Sequence, residues 1–157
     1  MDETTIRVAI RATARISFVL FLGANTRWLK ANKDEFTLGF AGSHTVHLAF
    51  ILALIAAIGR EHALKGIMVV AFTTGFLFMY GLAADVLFRH RTFLPSPFET
   101  LAHYYLITLF TVSFTRHAIT TPFFYTPLVL VAVTAIGVRI AAAIRSRKGQ
   151  IFTASAA

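Results

Sequence analysis

The sequence contains no cysteine. Disulfides, iron–sulfur clusters and thiolate-ligated metals are thereby excluded, and redox chemistry would need a cofactor held by other side chains. Charge is scarce as well. Asp, Glu, Lys and Arg make up 14% of the 157 residues, against about 25% in a soluble domain, which is too few to cover a water-facing surface. Acid is the scarcer sign, with seven Asp and Glu against fifteen Lys and Arg and a formal net charge of +8. No Gly-x-Gly-x-x-Gly follows a strand pattern, and no polar stretch is long enough for a flavin or nicotinamide domain. The chain by itself is therefore not a complete reductase. The opening MDETTIRVAIRATARISFVLFLGA starts acidic and runs on into Asn-Thr-Arg-Trp, so it reads as a first helix rather than a cleavable signal peptide.

Apolar residues fill the remainder. They account for 57% of the chain, the mean hydropathy is +0.70, and they come in blocks. Residues 36–59, 66–84, 100–115 and 117–138 contain no Asp, Glu, Lys or Arg. A helix needs about 20 mostly apolar residues to cross the hydrocarbon core. Two of the blocks reach that length outright, and the other two reach it when a flanking charged side chain snorkels to the interface. The basic residues sit in short loops and at helix ends, where anionic headgroups attract them. No basic stripe interleaves with aromatics on a polar face, so nucleic acid is excluded as a partner and the lipid bilayer is expected.

The expected fold is all-α: a polytopic transmembrane helical bundle in one domain, 1–157, with helices near 6–29, 36–58, 64–88, 98–119 and 123–144. Arg7, Arg11 and Arg15 recur every fourth residue on one face of helix one. They suit lipid phosphates, with haem propionates as the alternative. If that helix only lies at the interface, four crossings remain. Arg27, Trp28, Lys30 and Lys33 form an interfacial anchor. Ser96 and Pro97 suit the start of helix four. Thr120-Thr121-Pro122 breaks the chain before helix five, and Arg145-Ser146-Arg147-Lys148-Gly149 reads as its stop, followed by a loose tail. Nine of the fifteen basic residues (Arg27, Lys30, Lys33, Arg89, Arg91, Arg139, Arg145, Arg147, Lys148) fall on the side of the C-terminus. The positive-inside rule then places that terminus in the cytoplasm, most simply of a bacterial inner membrane.

Six histidines carry the chemistry: His44, His47, His62, His90, His103 and His117. Ionisable groups inside spans are uncommon and usually functional, and neutral imidazole is the standard axial ligand of haem iron. Fourteen residues separate His103 from His117, which is about 21 Å and about four turns of one helix. Both rings therefore share a face, one toward each membrane surface. His47 and His62 form a similar pair on helix two, which runs in the same direction. His47 opposite His103, and His62 opposite His117, would each hold one haem b. Against this, a lone intramembrane His ordinarily hydrogen-bonds a neighbouring helix. His62 lies in a charged loop after Gly59, which leaves one haem or two. His44 is about 60° from His47 around the helix and is an alternative ligand, a quinone contact or a packed polar residue. His90, in Arg-His-Arg, reads as loop. Asp85 and Arg89 are an i,i+4 pair with a structural reading.

The segment Phe-Thr-Leu-Gly-Phe-Ala-Gly-Ser-His-Thr-Val-His-Leu at 36–48, with His-Tyr-Tyr-Leu-Ile-Thr-Leu-Phe-Thr-Val-Ser-Phe-Thr-Arg-His at 103–117, resembles the ferric reductase-like transmembrane domain superfamily. That superfamily includes ferric reductases, NADPH oxidases and the haem membrane subunit of bacterial periplasmic methionine sulfoxide reductase. Its members carry a haem-ligating His near the middle of one helix and a pair 13 or 14 residues apart on a later one, positions matched here by His47, His103 and His117. The likeness spans helices two to four. The family core has six helices, where this chain offers five.

The resemblance implies a haem b-binding transmembrane electron-transfer protein, of the kind that serves as the membrane subunit of an oxidoreductase. Its donor and acceptor would be a redox partner protein, quinol or quinone. The contrasting expectation is a non-redox membrane protein, a small transporter or assembly partner, whose histidines are structural links. A haem-binding isomerase or sensor is a third.

Overall fold

The computed structural model describes residues 2–25, 32–58, 66–88 and 96–154. Among them are five helices and no strand: α1 (Glu3–Asn25), α2 (Lys33–Ile58), α3 (Ile67–Leu87), α4 (Ser96–Thr120) and α5 (Pro122–Ala154). The protein is an all-α integral membrane protein. α3, α2 over Lys33–Ala57 and α5 over Pro122–Ala142 are each long and apolar enough to cross a bilayer. α1 and α4 carry more polar and charged residues along their length.

The ends of the helices follow local chemistry. Asp2 accepts a hydrogen bond from the Thr5 amide (3.2 Å) at the start of α1, satisfying one of the orphan donors of a first turn. The Thr5 side chain, then its backbone, holds the exposed Asp2 carboxyl below the ordinary carboxylate range. Asp34 and Glu35 occupy the first turn of α2, where the helix dipole favours acid. α3 starts after Gly66, whose φ of 59° is left-handed backbone that glycine adopts without a Cβ penalty. α4 closes on one carbonyl: His117 O accepts from the Thr121 amide (2.9 Å) and from the hydroxyls of Thr120 and Thr121 (3.1 Å each).

Several boundaries differ from those expected. α1 begins at Glu3 rather than Ile6, because the Asp2 cap starts it earlier, and its described part ends at Asn25. α2 begins at Lys33, since its acidic first turn is itself helical. α3 begins at Ile67, the residue after the left-handed Gly66. Ser96 is the first residue of α4 instead of its preceding cap. The largest correction is at α5. The basic segment at 145–149 does not stop it, and the tail to Ala154 is helical rather than loose. Lys and Arg are good helix formers, and no proline follows to break the ladder. Pro127 sits early in α5, where the missing N–H withdraws a partner only from the Phe123 carbonyl. The anchor residues Arg27, Trp28 and Lys30, together with Arg89, lie outside the described residues.

The chain divides into two compact units, Met1–His103 and Tyr104–Ala157. In the first, α1 packs closely along α2, and α3 packs more lightly on α2. Phe18, Phe21, Phe40 and Met79 are fully buried there. In the second, Phe114 lies 5.8 Å from Tyr125 between ring centroids, and the Arg139 guanidinium stands 5.9 Å from the Tyr104 ring. α5 buries only Tyr125 and Ala132 among its described side chains. Large apolar side chains face outward, among them Ile67 on α3 and Phe123 on α5, each more than 80% exposed. In water such surface would be a liability; in a bilayer it is the lipid-facing exterior.

Gly23 permits the close α1–α2 approach. A Cβ there would fall 2.5, 2.7 and 2.9 Å from Phe36 ring carbons, distances that force displacement. Gly23→Ala is expected to destabilise the α1–α2 pair by about 1–3 kcal/mol, the usual cost of overpacking. It should lower the thermal midpoint in detergent, and the same change in a Phe36→Ala background should cost nothing further.

Candidate functional site: a histidine and aromatic cluster

A polar seam runs along α1 and α2. Thr13 Oγ1 lies 3.0 Å from His47 Nδ1. One turn further along α1, Ser17 Oγ lies 2.9 Å from Ser43 Oγ. Each hydroxyl on α1 is also anchored to its own helix: Thr13 donates to Ala9 O (2.8 Å) and Ser17 donates to Thr13 O (2.8 Å). Lipid offers no hydrogen-bond partner, so polar side chains in a span must find one on their own or a neighbouring helix. Ser17 is completely buried, and its partners meet that requirement. On the other side of α2, Thr45 donates to Ala41 O (2.8 Å) and lies 2.8 Å from Tyr80 OH on α3. The Thr45 hydrogen is spent on Ala41, so Tyr80 is the donor between them.

An aromatic cluster lies beside the seam. The His44 ring centroid is 5.2 Å from that of His47, 5.6 Å from Phe40 and 5.4 Å from Phe76. Phe40 continues to Phe21 at 5.3 Å, and Phe21 to His103 at 6.0 Å. Three of the expected site residues, His44, His47 and His103, thus belong to one cluster drawn from α1, α2, α3 and the first turns of α4. His103 is buried, at 6% exposure, and His44 and His47 are partly buried. Polar flanking comes from Glu99, one turn before His103. Its Oε1 lies 3.9 Å from His103 Nδ1 and pairs with Lys33 Nζ at the start of α2.

His117 belongs to the second unit. It is exposed at the end of α4 and stacks on Tyr125, with centroids 5.1 Å apart and planes 27° from parallel. His62 and His90 lie outside the described residues, and so does the expected pairing of His62 with His117. Arg7 is engaged by Glu3, whose Oε1 accepts from Nε at 2.7 Å and lies 2.6 Å from Nη2. Among the described residues no three His, Asp or Glu side chains gather as they would around a free metal ion. A haem iron asks less of the protein, since two axial imidazoles suffice.

Sequence reasoning missed Thr13, Ser17, Ser43, Glu99 and the two phenylalanines Phe21 and Phe40. A signal existed for the hydroxyls: Thr13 and Ser17 are four apart in helix one, and Ser43 and His47 are four apart in helix two. Two matched i,i+4 polar pairs on adjacent spans are what an interhelical seam requires.

The Lys33 and Glu99 side chains are 39% and 47% exposed, so their pair is solvent-screened. Glu99→Gln is expected to shift stability by no more than about 1 kcal/mol, an effect that should shrink when thermal melts in detergent are repeated at high salt. The chain matches no protein-family model, no curated protein and no solved structure.

Proposed function

We propose that this chain is a haem b-binding transmembrane electron-transfer protein that passes electrons across or into the membrane to a redox partner or a quinone. The observation that carries the reading is the histidine cluster of the first unit. The buried His103 is linked to His44 and His47 of α2 through the rings of Phe21 and Phe40.

The donor set fits the group. Imidazole is the usual axial donor of b-type haem, and with no cysteine in the chain no thiolate competes for the iron. His47 and His103 would hold the haem, with His44 as the alternative to His47. When bound, the haem supplies a one-electron Fe(III)/Fe(II) couple. The residues of the chain supply the setting. The fully buried Phe21 and Phe40, in ring contact with His103 and His44, keep water from the cluster, and a dry, apolar surround is one of the means by which a protein sets a haem potential. A second haem would draw on His117 and His62. The excess of Lys and Arg beside the C-terminus favours a cytoplasmic C-terminus, most simply in a bacterial inner membrane.

A second reading has an observation of its own. The Thr13–His47 contact is what a purely structural intramembrane histidine would make, and it favours a non-redox transporter or assembly partner.

Purified protein from haem-replete cells separates the two. The haem reading expects a red sample whose Soret band shifts on dithionite, with a pyridine haemochrome assay giving one or two haems per chain. His47→Ala and His103→Ala should each abolish or halve that haem. A colourless wild-type protein, or variants that both retain full haem, would overturn it.

A further inference from the structure

The hydrogen-bond chemistry around His47 decides which of its nitrogens carries the proton. Thr13 Oγ1 has three neighbours: Ala9 O at 2.8 Å, Ile10 O at 3.1 Å and His47 Nδ1 at 3.0 Å. A hydroxyl has one hydrogen and two lone pairs. Carbonyl oxygens only accept, so the 2.8 Å approach to Ala9 O requires that hydrogen. Were it turned toward His47 instead, two lone-pair-bearing oxygens would face each other at 2.8 Å in a medium of low dielectric. Thr13 Oγ1 therefore has only a lone pair left for His47, and His47 Nδ1 must be the donor.

We infer that Thr13 is a positioning residue for His47: its hydroxyl holds the ring as the Nδ1–H tautomer and so presents the Nε2 lone pair, away from α1, as the ligating atom. The tautomer of a ligating imidazole is set by the bond its other nitrogen makes, and here that bond is supplied by a helix two elements away from α3 and one from α2. The assignment gives α1 a function beyond packing. Its purpose rests on the haem reading; the tautomer measurement that tests it does not.

Two measurements separate them. The first is 15N magnetic resonance of histidine-labelled protein in lipid vesicles, prepared from haem-deficient cells, with the His47 signal identified by its loss in His47→Ala. Wild type is expected to show a protonated Nδ1 and a bare Nε2. Thr13→Val, which keeps the shape and removes the hydroxyl, should change the His47 tautomer populations. Thr13→Ser should restore the wild-type pattern. The second is haem titration of the same proteins. Loss of an outer partner of a ligating histidine typically lowers metal affinity about 10- to 100-fold, so Thr13→Val should bind haem weaker by that factor and Thr13→Ser should not. A bare Nδ1 in the wild type overturns the inference, as does a Thr13→Val protein with unchanged tautomer and unchanged affinity. If the tautomer is as inferred but wild type takes up no haem, the positioning role of Thr13 stands and the haem reading falls. Circular dichroism of each variant checks that the helices are intact.

Discussion

The arrangement of the first unit follows from one constraint: a polar side chain inside a bilayer has no water to bond. Helices α1 and α2 each bring two polar groups into their contact, Thr13 and Ser17 from one, His47 and Ser43 from the other. The three hydroxyls also bond carbonyls of their own helices, and the register that sets Thr13 against His47 and Ser17 against Ser43 adds a partner for the imidazole and a second bond between the helices. The apolar effect that drives soluble cores is weak between helices already immersed in hydrocarbon. Close packing and interhelical hydrogen bonds must therefore select the register, and Gly23 against Phe36 adds the steric part.

Once α1 is fixed on α2, the rest of the cluster has its place. Phe18 and Phe21 of α1 and Phe40 of α2 are brought into the interior. The rings of His44 and His103 then lie against this phenylalanine core, and α3 adds Phe76 and Tyr80. The Lys33–Glu99 pair joins the starts of α2 and α4 at the more polar end. Histidines so placed share an apolar surround with their Nδ1 sides turned to defined polar partners, Thr13 for His47 and Glu99 for His103. The same geometry serves a structural link and a prospective metal ligand, which is why haem content is the measurement that divides the two readings.

The helical, bilayer-spanning class was readable because it depends on bulk properties. Long uncharged blocks and a small charged fraction leave few alternatives. Helix ends were less legible. The basic run at 145–149 reads as a stop only if charge is taken as a breaker, whereas the α5 backbone stays hydrogen-bonded to itself through that run to Ala154. The candidate site was legible as a set of residues, through the intramembrane histidines, but not as an arrangement. His103 and His117 share a helix and a spacing, yet one is buried against Phe21 and the other is exposed and stacked on Tyr125.

By itself the sequence determined the membrane class, the five helices, the absence of thiolate chemistry and the identity of the polar residues confined within apolar spans. These depend on composition and on local period, which act without reference to distant parts of the chain. The tertiary structure alone decided that His47 meets Thr13, that Glu99 stands between Lys33 and His103, and that Phe21 of α1 lies between Phe40 of α2 and His103. Those relations join residues tens of positions apart, and they depend on the rotation and register of one helix on another, which hydropathy leaves open and which only side-chain packing and hydrogen-bond satisfaction resolve.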